Sequence, residues 1–438
     1  MKRTTKKPLT LSLAVLTLST GLLTTACETQ TPDEPTDQTT TGGNDSPEAL
    51  KLGSLFPTTG DLSSIGQNMP KAVNLAVETI NACGGVNGQP VELAQEDSQT
   101  DPNAGAAAMS KLAEVDKVAG VVGAFASSVS GATIDIAVRN EVMQISSGST
   151  SPVFTERAEA GDFKGYWART APPDTYQAQA LAKLASDRGF DRVSTVVINN
   201  DYGVGFEQEF VKSFKELGGT VVNEDDPVRY DPKATTFDSE AAAVFGNDPD
   251  AVLGVLYAET GSLLMRSAYQ QGLSEGVTEL LTDGVYSSEF INDVGKTGDG
   301  QSIIAGALGT VPGASGTALE DLTAKWEAEI GGEVTAFVPH SWDAAAIMML
   351  AAEKADENTG TAIKNTYRDI TNSPGTEVSD LCEAMELVRN GEEINYQGAS
   401  GDLEFDENGD TIGSYDVWTV QQEGDLEVID QVKPETNN

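Results

Sequence analysis

A chain of 438 residues with 39% hydrophobic content is long enough for two globular domains and carries enough apolar material to give each a core. Its 27 basic against 68 acidic residues leave a formal charge of −41, which repels nucleic acid and anionic lipid surfaces and excludes binding driven by either. The acids are scattered along the chain, a distribution that fits an acidic surface suited to a salty medium and is also compatible with attraction for a cationic ligand.

At the N-terminus, Lys2, Arg3, Lys6 and Lys7 precede the apolar run 9–23 (LTLSLAVLTLSTGLL) and then Thr24-Thr25-Ala26-Cys27. The run falls short of the ~20 apolar residues of a spanning helix but suits the hydrophobic region of a signal peptide. Small residues ahead of Cys27 resemble a bacterial lipobox, which implies removal of residues 1–26 and lipidation of Cys27; Thr24 stands where such motifs usually have Leu. Losing four basic residues and no acid would take the mature charge to −45. Residues 28–47 (ETQTPDEPTDQTTTGGNDSP) contain nothing aliphatic or aromatic, so 27–47 reads as a lipidated Cys followed by a disordered tether. The chain is therefore expected to be exported and held on a bacterial membrane, facing the periplasm or the cell exterior. Two cysteines remain, Cys83 and Cys382, which in an oxidising compartment form a disulfide or stay as two separate buried thiols.

From Leu50 onward, short apolar runs alternate with helical patterns. Strands are expected at 51–56, 91–96, 118–125 and 142–146, with helices at 66–83, at 103–116 and after Ser127-Ser128. Segment 159–176, with Gly161, Gly165 and Pro172-Pro173, breaks the rhythm. A second alternation follows: helices at 177–188, 205–217, 236–245 and 261–272, strands at 193–199, 220–222, 251–257 and 279–283. A further strand is expected at 303–308, a helix-rich stretch over 317–390, and strand-like alternation over 401–430 around turns such as Asn408-Gly409. The fold class is therefore α/β, with two doubly wound parallel-sheet lobes joined by hinge crossings. Ligands of such sheets lie beyond the carboxyl ends of the strands, so two facing ends make a cleft that can close.

Several local sequences occur in a recognisable order: Gly84-Gly85-Val86-Asn87-Gly88, Gly123-Ala124-Phe125-Ala126-Ser127-Ser128, Ser147-Gly148-Ser149-Thr150, Asp201-Tyr202-Gly203, and Tyr396 to Gly401 followed by Phe405-Asp406. Over residues 50–420 the chain resembles the leucine/isoleucine/valine-binding family of ABC-transporter solute-binding proteins, of the type I periplasmic binding fold. The resemblance implies a first lobe of 48–171 plus 307–397 and a second of 172–306 plus 398–438. It also implies a small amino-acid-like ligand, a membrane permease as partner, and no cofactor.

Carried over position by position, the family's ligand contacts fall on Ser127, Gly148 and Thr150 in the first lobe and on Tyr202, Tyr257 and Asp283 in the second. Ser127, at a helix start, and Thr150 offer donors to a carboxylate; the Gly148 carbonyl and Asp283 accept from an ammonium; the two tyrosines form a wall. Relatives often carry Glu at the position of Asp283, place an aromatic at that of Ile65, and have a cysteine at that of Ala126. Each residue also has a plain reading: a helix cap for Ser127, turn chemistry for Gly148, Thr150 and Asp283.

Enzymatic readings find little support. His340 is the only histidine, flanked by Pro339 and Ser341, and phosphate-loop, dinucleotide and HExxH patterns are missing. Asp406-Glu407-Asn408-Gly409-Asp410 lacks the later Glu of a calcium loop and reads as a hairpin turn, so no metal is expected. Two other roles remain open for the same fold: a receptor component reporting to a membrane sensor, and an acidic scaffold lipoprotein. Amides, urea and short peptides remain alternative ligands.

Overall fold

The computed structural model describes residues 48–434; the expected signal peptide, the expected lipidation site Cys27 and the expected tether lie outside them. In chain order the strands are β1 (Lys51–Phe56), β2 (Glu92–Asp97), β3 (Gly120–Gly123), β4 (Met143–Ser146), β5 (Trp167–Arg169), β6 (Arg192–Ile198), β7 (Thr220–Val221) and β8 (Val228–Tyr230). They continue as β9 (Ala251–Val255), β10 (Thr278–Leu281), β11 (Leu308–Pro312), β12 (Thr376–Val378), β13 (Ile394–Tyr396), β14 (Tyr415–Val420) and β15 (Leu426–Val432). One sheet runs β2-β1-β3-β4-β5, parallel throughout. The other runs β15-β14-β11-β10-β9-β6-β7, with β8 also beside β6; the pairs β11–β14 and β14–β15 are antiparallel and the rest parallel. A short β12–β13 pair stands apart.

The central strands are buried along their length, as strands covered by helices on both faces must be. Under the first sheet lies the helix Val338–Ala355, buried continuously from Val338 to Ala352. Its run of alanines and methionines lets helix and sheet approach closely without polar atoms to satisfy. Cys83, at the end of the helix Met69–Ala82, is disulfide-bonded to Cys382 in the helix Leu381–Arg389, with 5.7 Å between their Cα atoms.

Three segments cross between the sheets and are bonded to one another. Tyr415 Oη donates to the Pro173 carbonyl at 3.0 Å, Gly313 N to the Ser414 carbonyl at 2.8 Å, and Thr411 Oγ1 to the Thr170 carbonyl at 3.2 Å.

Most expected elements appear within a few residues of their places, with two displacements. The strand expected at 303–308 is β11, Leu308–Pro312; residues before it turn through Gly306 at φ 92°. Because β11 fills the place between β10 and β14, the second sheet extends to Pro312 and past the expected boundary at 306. At the other crossing, residues 398–411 stay with the first lobe instead of leaving it at 398. The buried Asp343 carboxylate takes the N–H groups of Ala399 and Ser400 at 2.9 and 2.7 Å, and Asp410 pairs with buried Arg169 at 2.6 Å. The rhythm break at 159–176 contains β5, too short to show a period.

Candidate functional site

Between the carboxyl ends of the two sheets lies a small, partly open cavity lined by Leu62, Phe125, Ala126, Ser127, Gly148, Tyr202, Tyr257, Asp283 and Gly284. Each follows the end of a parallel strand: Leu62 after β1, Phe125 to Ser127 after β3, Gly148 after β4, Tyr202 after β6, Tyr257 after β9 and Asp283 after β10. Five of the six expected residues thus meet at one place. Thr150 is buried but does not line the cavity; its carbonyl accepts from Asp174 N at 2.8 Å.

The first-lobe half is neutral. Ser127 opens the helix Ser127–Arg139; the N-cap is Ala126, which offers no side-chain cap, so Ser127 is not the helix cap of its plain reading. Ser127 Oγ accepts from Ser151 N at 3.3 Å, which leaves its own proton for an acceptor in the cavity. The loop carrying Gly148 is tied down by serines: Ser146 Oγ donates to the Ala124 carbonyl and takes the N–H of Ser149, while Ser149 Oγ donates to the Phe125 carbonyl. A Cβ on residue 148 would meet the Phe125 ring at 2.0 Å, so only glycine lets that ring lie against the loop and face the cavity. From behind, Arg169 grips the same loop through the carbonyls of Ser149 and Ser151 at 3.0 and 2.9 Å.

The second-lobe half is acidic. Asp283 Oδ1 lies 2.9 Å from Tyr202 Oη and 3.0 Å from Gln177 Nε2. Tyr202 Oη is also 2.7 Å from Thr282 Oγ1; a phenol has one proton, so when it serves Asp283 the Thr282 hydroxyl donates to it. Tyr257 stacks beside Tyr202 with ring centroids 5.8 Å apart, and its hydroxyl is held by Asn200. Burial pushes the Asp283 carboxyl up to about 6, against the lowering effect of its Tyr202 and Gln177 donors.

Asp174 stands behind this group. Burial raises its carboxyl well above the ordinary range, and the charge of Asp283 adds to that; Thr150 and Arg169 pull the other way. Among the described residues no well-formed hydrogen bond reaches either Asp174 oxygen; the Thr150 hydroxyl faces the carboxyl without completing one. An anion so placed is costly, so Asp174 keeps a proton until a cation approaches. Arg169 does not supply that cation, being paired with Asp410. None of the nine residues lining the cavity is basic. The arrangement therefore presents neutral donors on one side and the buried Asp283 carboxyl, with Asp174 behind it, on the other.

Sequence reasoning missed Asp174, Gln177, Arg169 and the apolar Leu62 and Phe125. The usable signal for the first two was Pro172-Pro173-Asp174 at a helix start with Gln177 three residues on, hence on the same face. Ile65, at the position of the family's aromatic, is buried but does not line the cavity; Leu62 does. His340 sits in the first turn of Val338–Ala355 with its imidazole pushed down to about 3 by burial, so it stays neutral. The 406–410 cluster is a turn: Asp406 Oδ1 takes the N–H groups of Asn408 and Asp410 at 2.8 and 2.9 Å.

A family model described as the receptor family ligand binding region matches residues 68–423. The chemotactic signal transduction system substrate-binding protein BasB of Halobacterium salinarum is 26% identical over 374 residues, covering 82% of this chain and 84% of that protein. A Leu/Ile/Val-binding protein homolog of Brucella abortus is 31% identical over 260 residues, 57% of this chain and 65% of that one. Among solved structures, a leucine-binding protein from Thermotoga maritima superposes with a TM-score of 0.74 at 25% identity, covering 88% of this chain and 99% of the other. The fold is thus that of the type I periplasmic binding proteins.

Proposed function

The chain belongs to the receptor family ligand binding region, and we propose that within it the protein is the extracytoplasmic solute-binding lipoprotein of an ABC importer, taking an amino acid of branched-chain or related type. The observation that carries this reading is the pairing, across one cavity, of a neutral donor surface at Ser127 with the buried Asp283 carboxyl. Ser127 and the uncapped N–H groups of its helix receive the ligand carboxylate. The Gly148 carbonyl and Asp283 receive the ammonium, with Thr150 and Asp174 behind them, and Tyr202 and Tyr257 close the second-lobe wall. Leu62 and Phe125 supply the apolar surface for the ligand side chain. Cys27 anchors the protein to the membrane by lipid, and a permease receives the ligand.

A second reading has one specific support: BasB, by its name a substrate-binding protein of a chemotactic system, is similar over most of both chains. In that role the same closed cleft reports to a membrane sensor. A thermal-shift screen of the amino acids, with urea, simple amides and dipeptides included, on protein refolded free of endogenous ligand tests the ligand class. Stabilisation by an amino acid supports the reading; response only to ligands without an ammonium overturns it. Copurification with a permease or with a chemoreceptor then separates the two roles.

A further inference from the structure

The loop after β1 belongs to the first lobe and is fastened there. Thr58 N and Thr59 N donate to the Asp97 carboxylate at 3.1 and 3.3 Å, and Leu62 N donates to Thr100 Oγ1 at 3.2 Å. Within it, the Asp61 carboxylate turns to the other lobe. Its Oδ1 accepts from Glu259 N at 2.7 Å and from Thr260 N at 3.0 Å, and its Oδ2 accepts from Thr260 Oγ1 at 2.8 Å. These are groups of the first turn of the helix Ala258–Gln270, whose N-cap residue, Tyr257, offers no side-chain cap.

We propose that Asp61 is the latch of the closed state: a first-lobe carboxylate supplies the missing N-terminal cap of a second-lobe helix, and thereby sets ligand affinity without touching the ligand. The inference rests on the ligand-binding reading above. The latch is joined to the cavity on both sides. Leu62, the next residue, lines the cavity, as does Tyr257 at the helix start. Thr260 Oγ1 also lies 3.1 Å from Tyr230 Oη, and that hydroxyl takes Tyr257 N at 3.3 Å, so the latch reaches the backbone of a wall residue. Among the described residues the other polar contacts between the lobes are single bonds, including Asp174 N to the Thr150 carbonyl at 2.8 Å, Ser64 Oγ to Ser287 Oγ at 3.2 Å, Ser151 Oγ to the Asp201 carbonyl at 2.8 Å, and an exposed Lys233–Asp101 pair at 3.7 Å. Exposed pairs of that kind contribute little, whereas Asp61 gathers three bonds at a half-buried site and adds the favourable interaction of an anion with a helix start.

The test is made on the full chain carrying spin labels at Glu78→Cys and Ser239→Cys, one exposed position on each lobe. Interlobe distances are measured during titration with L-leucine. Asp61→Ala is expected to raise the leucine concentration for half-closure about 3- to 30-fold, the range of losing one N-cap. Asp61→Asn, which keeps an acceptor for both N–H groups, should stay within about threefold of wild type, and Thr260→Val should fall between. The ligand-free melting temperature should be the same in all four proteins. An unchanged midpoint in Asp61→Ala overturns the latch. If L-leucine fails to close wild type, the amino-acid reading is at fault, and the latch is judged on the ligand-free closed fraction. That fraction should be smaller in Asp61→Ala, and equality overturns the proposal.

Discussion

Replacing Asp283 by Asn separates the cost of the site from its use. In the ligand-free protein the amide oxygen of Asn can still accept from Tyr202 and Gln177, as Asp283 Oδ1 does at 2.9 and 3.0 Å, so the local geometry survives. What disappears is a buried anion. Since burial raises the Asp283 carboxyl from 3.8 to about 6, its contribution to stability is fully present below pH 3.8 and is lost as pH rises to about 6. The gap, at about 1.36 kcal/mol per pH unit, amounts to about 3 kcal/mol of destabilisation at neutral pH, which the substitution removes. Ligand-free Asp283→Asn should therefore melt higher than wild type at pH 7.5 and lose that advantage near pH 4. Its affinity for an amino acid should fall by about 2–5 kcal/mol, the usual cost of removing one partner of a buried charge pair. Scanning calorimetry and titration calorimetry on the same preparations read both quantities. Unchanged affinity would make Asp283 a turn residue, and a lower melting temperature with weaker binding would make it structural; either result refutes the reasoning.

Three further outcomes are expected. Because an ammonium favours the ionised carboxyls, binding should release a proton and affinity should fall as pH drops below about 6; titrations in buffers of different ionisation enthalpy would show a buffer-independent heat if it does not. Cys83 and Cys382 should resist alkylation after denaturation without reductant, and Cys382→Ser should destabilise by at most about 6 kcal/mol, the loop-entropy value for a closure of 299 residues. Cys27→Ser should free the protein from the membrane with an unchanged circular dichroism spectrum, and mass spectrometry finding a mature N-terminus elsewhere would remove the anchor.

The fold was legible where local pattern and burial agree. The strand at 51–56 matches β1 because both faces are covered and the apolar run carries no competing period. It was least legible where pairing decides. Trp167–Arg169 is a strand because β4 lies beside it, and 308–312 displaces 303–308 because β10 and β14 leave a place for it. In the site, residues in turn motifs such as Asp201-Tyr202-Gly203 could be placed by resemblance. Asp174 could not, because its significance lies in what it lacks: two buried oxygens with no well-formed hydrogen bond among the described residues. A sequence records residues, whereas an unmet hydrogen-bond requirement exists only after the chain has folded around it. Asp61 escaped notice for a related reason, since its partners at 259 and 260 are nearly 200 residues away and on the other lobe.

The division of charge between the lobes makes ligand and closure depend on each other. The first lobe offers hydroxyl and amide donors and no cation at the cavity, so alone it holds a carboxylate weakly in open water. The second lobe offers the Asp283 carboxyl, with the raised Asp174 carboxyl behind it, but alone and in open water it gains little from an ammonium that solvent also hydrates. Only when the lobes meet and water leaves does each end of a zwitterion face its partner at low dielectric, where the interaction strengthens. An uncharged ligand of the same shape leaves the Asp283 carboxylate without a cationic partner and gains none of this, and a bare cation leaves the Ser127 helix start unmatched. On the proposed reading the closed state is favoured by a molecule carrying both charges a few ångströms apart, and the proposed latch at Asp61 adds a strength that is the same for every ligand. Selectivity then belongs to the cavity and the depth of closure to the latch, two quantities that substitutions at Asp283 and Asp61 should change independently.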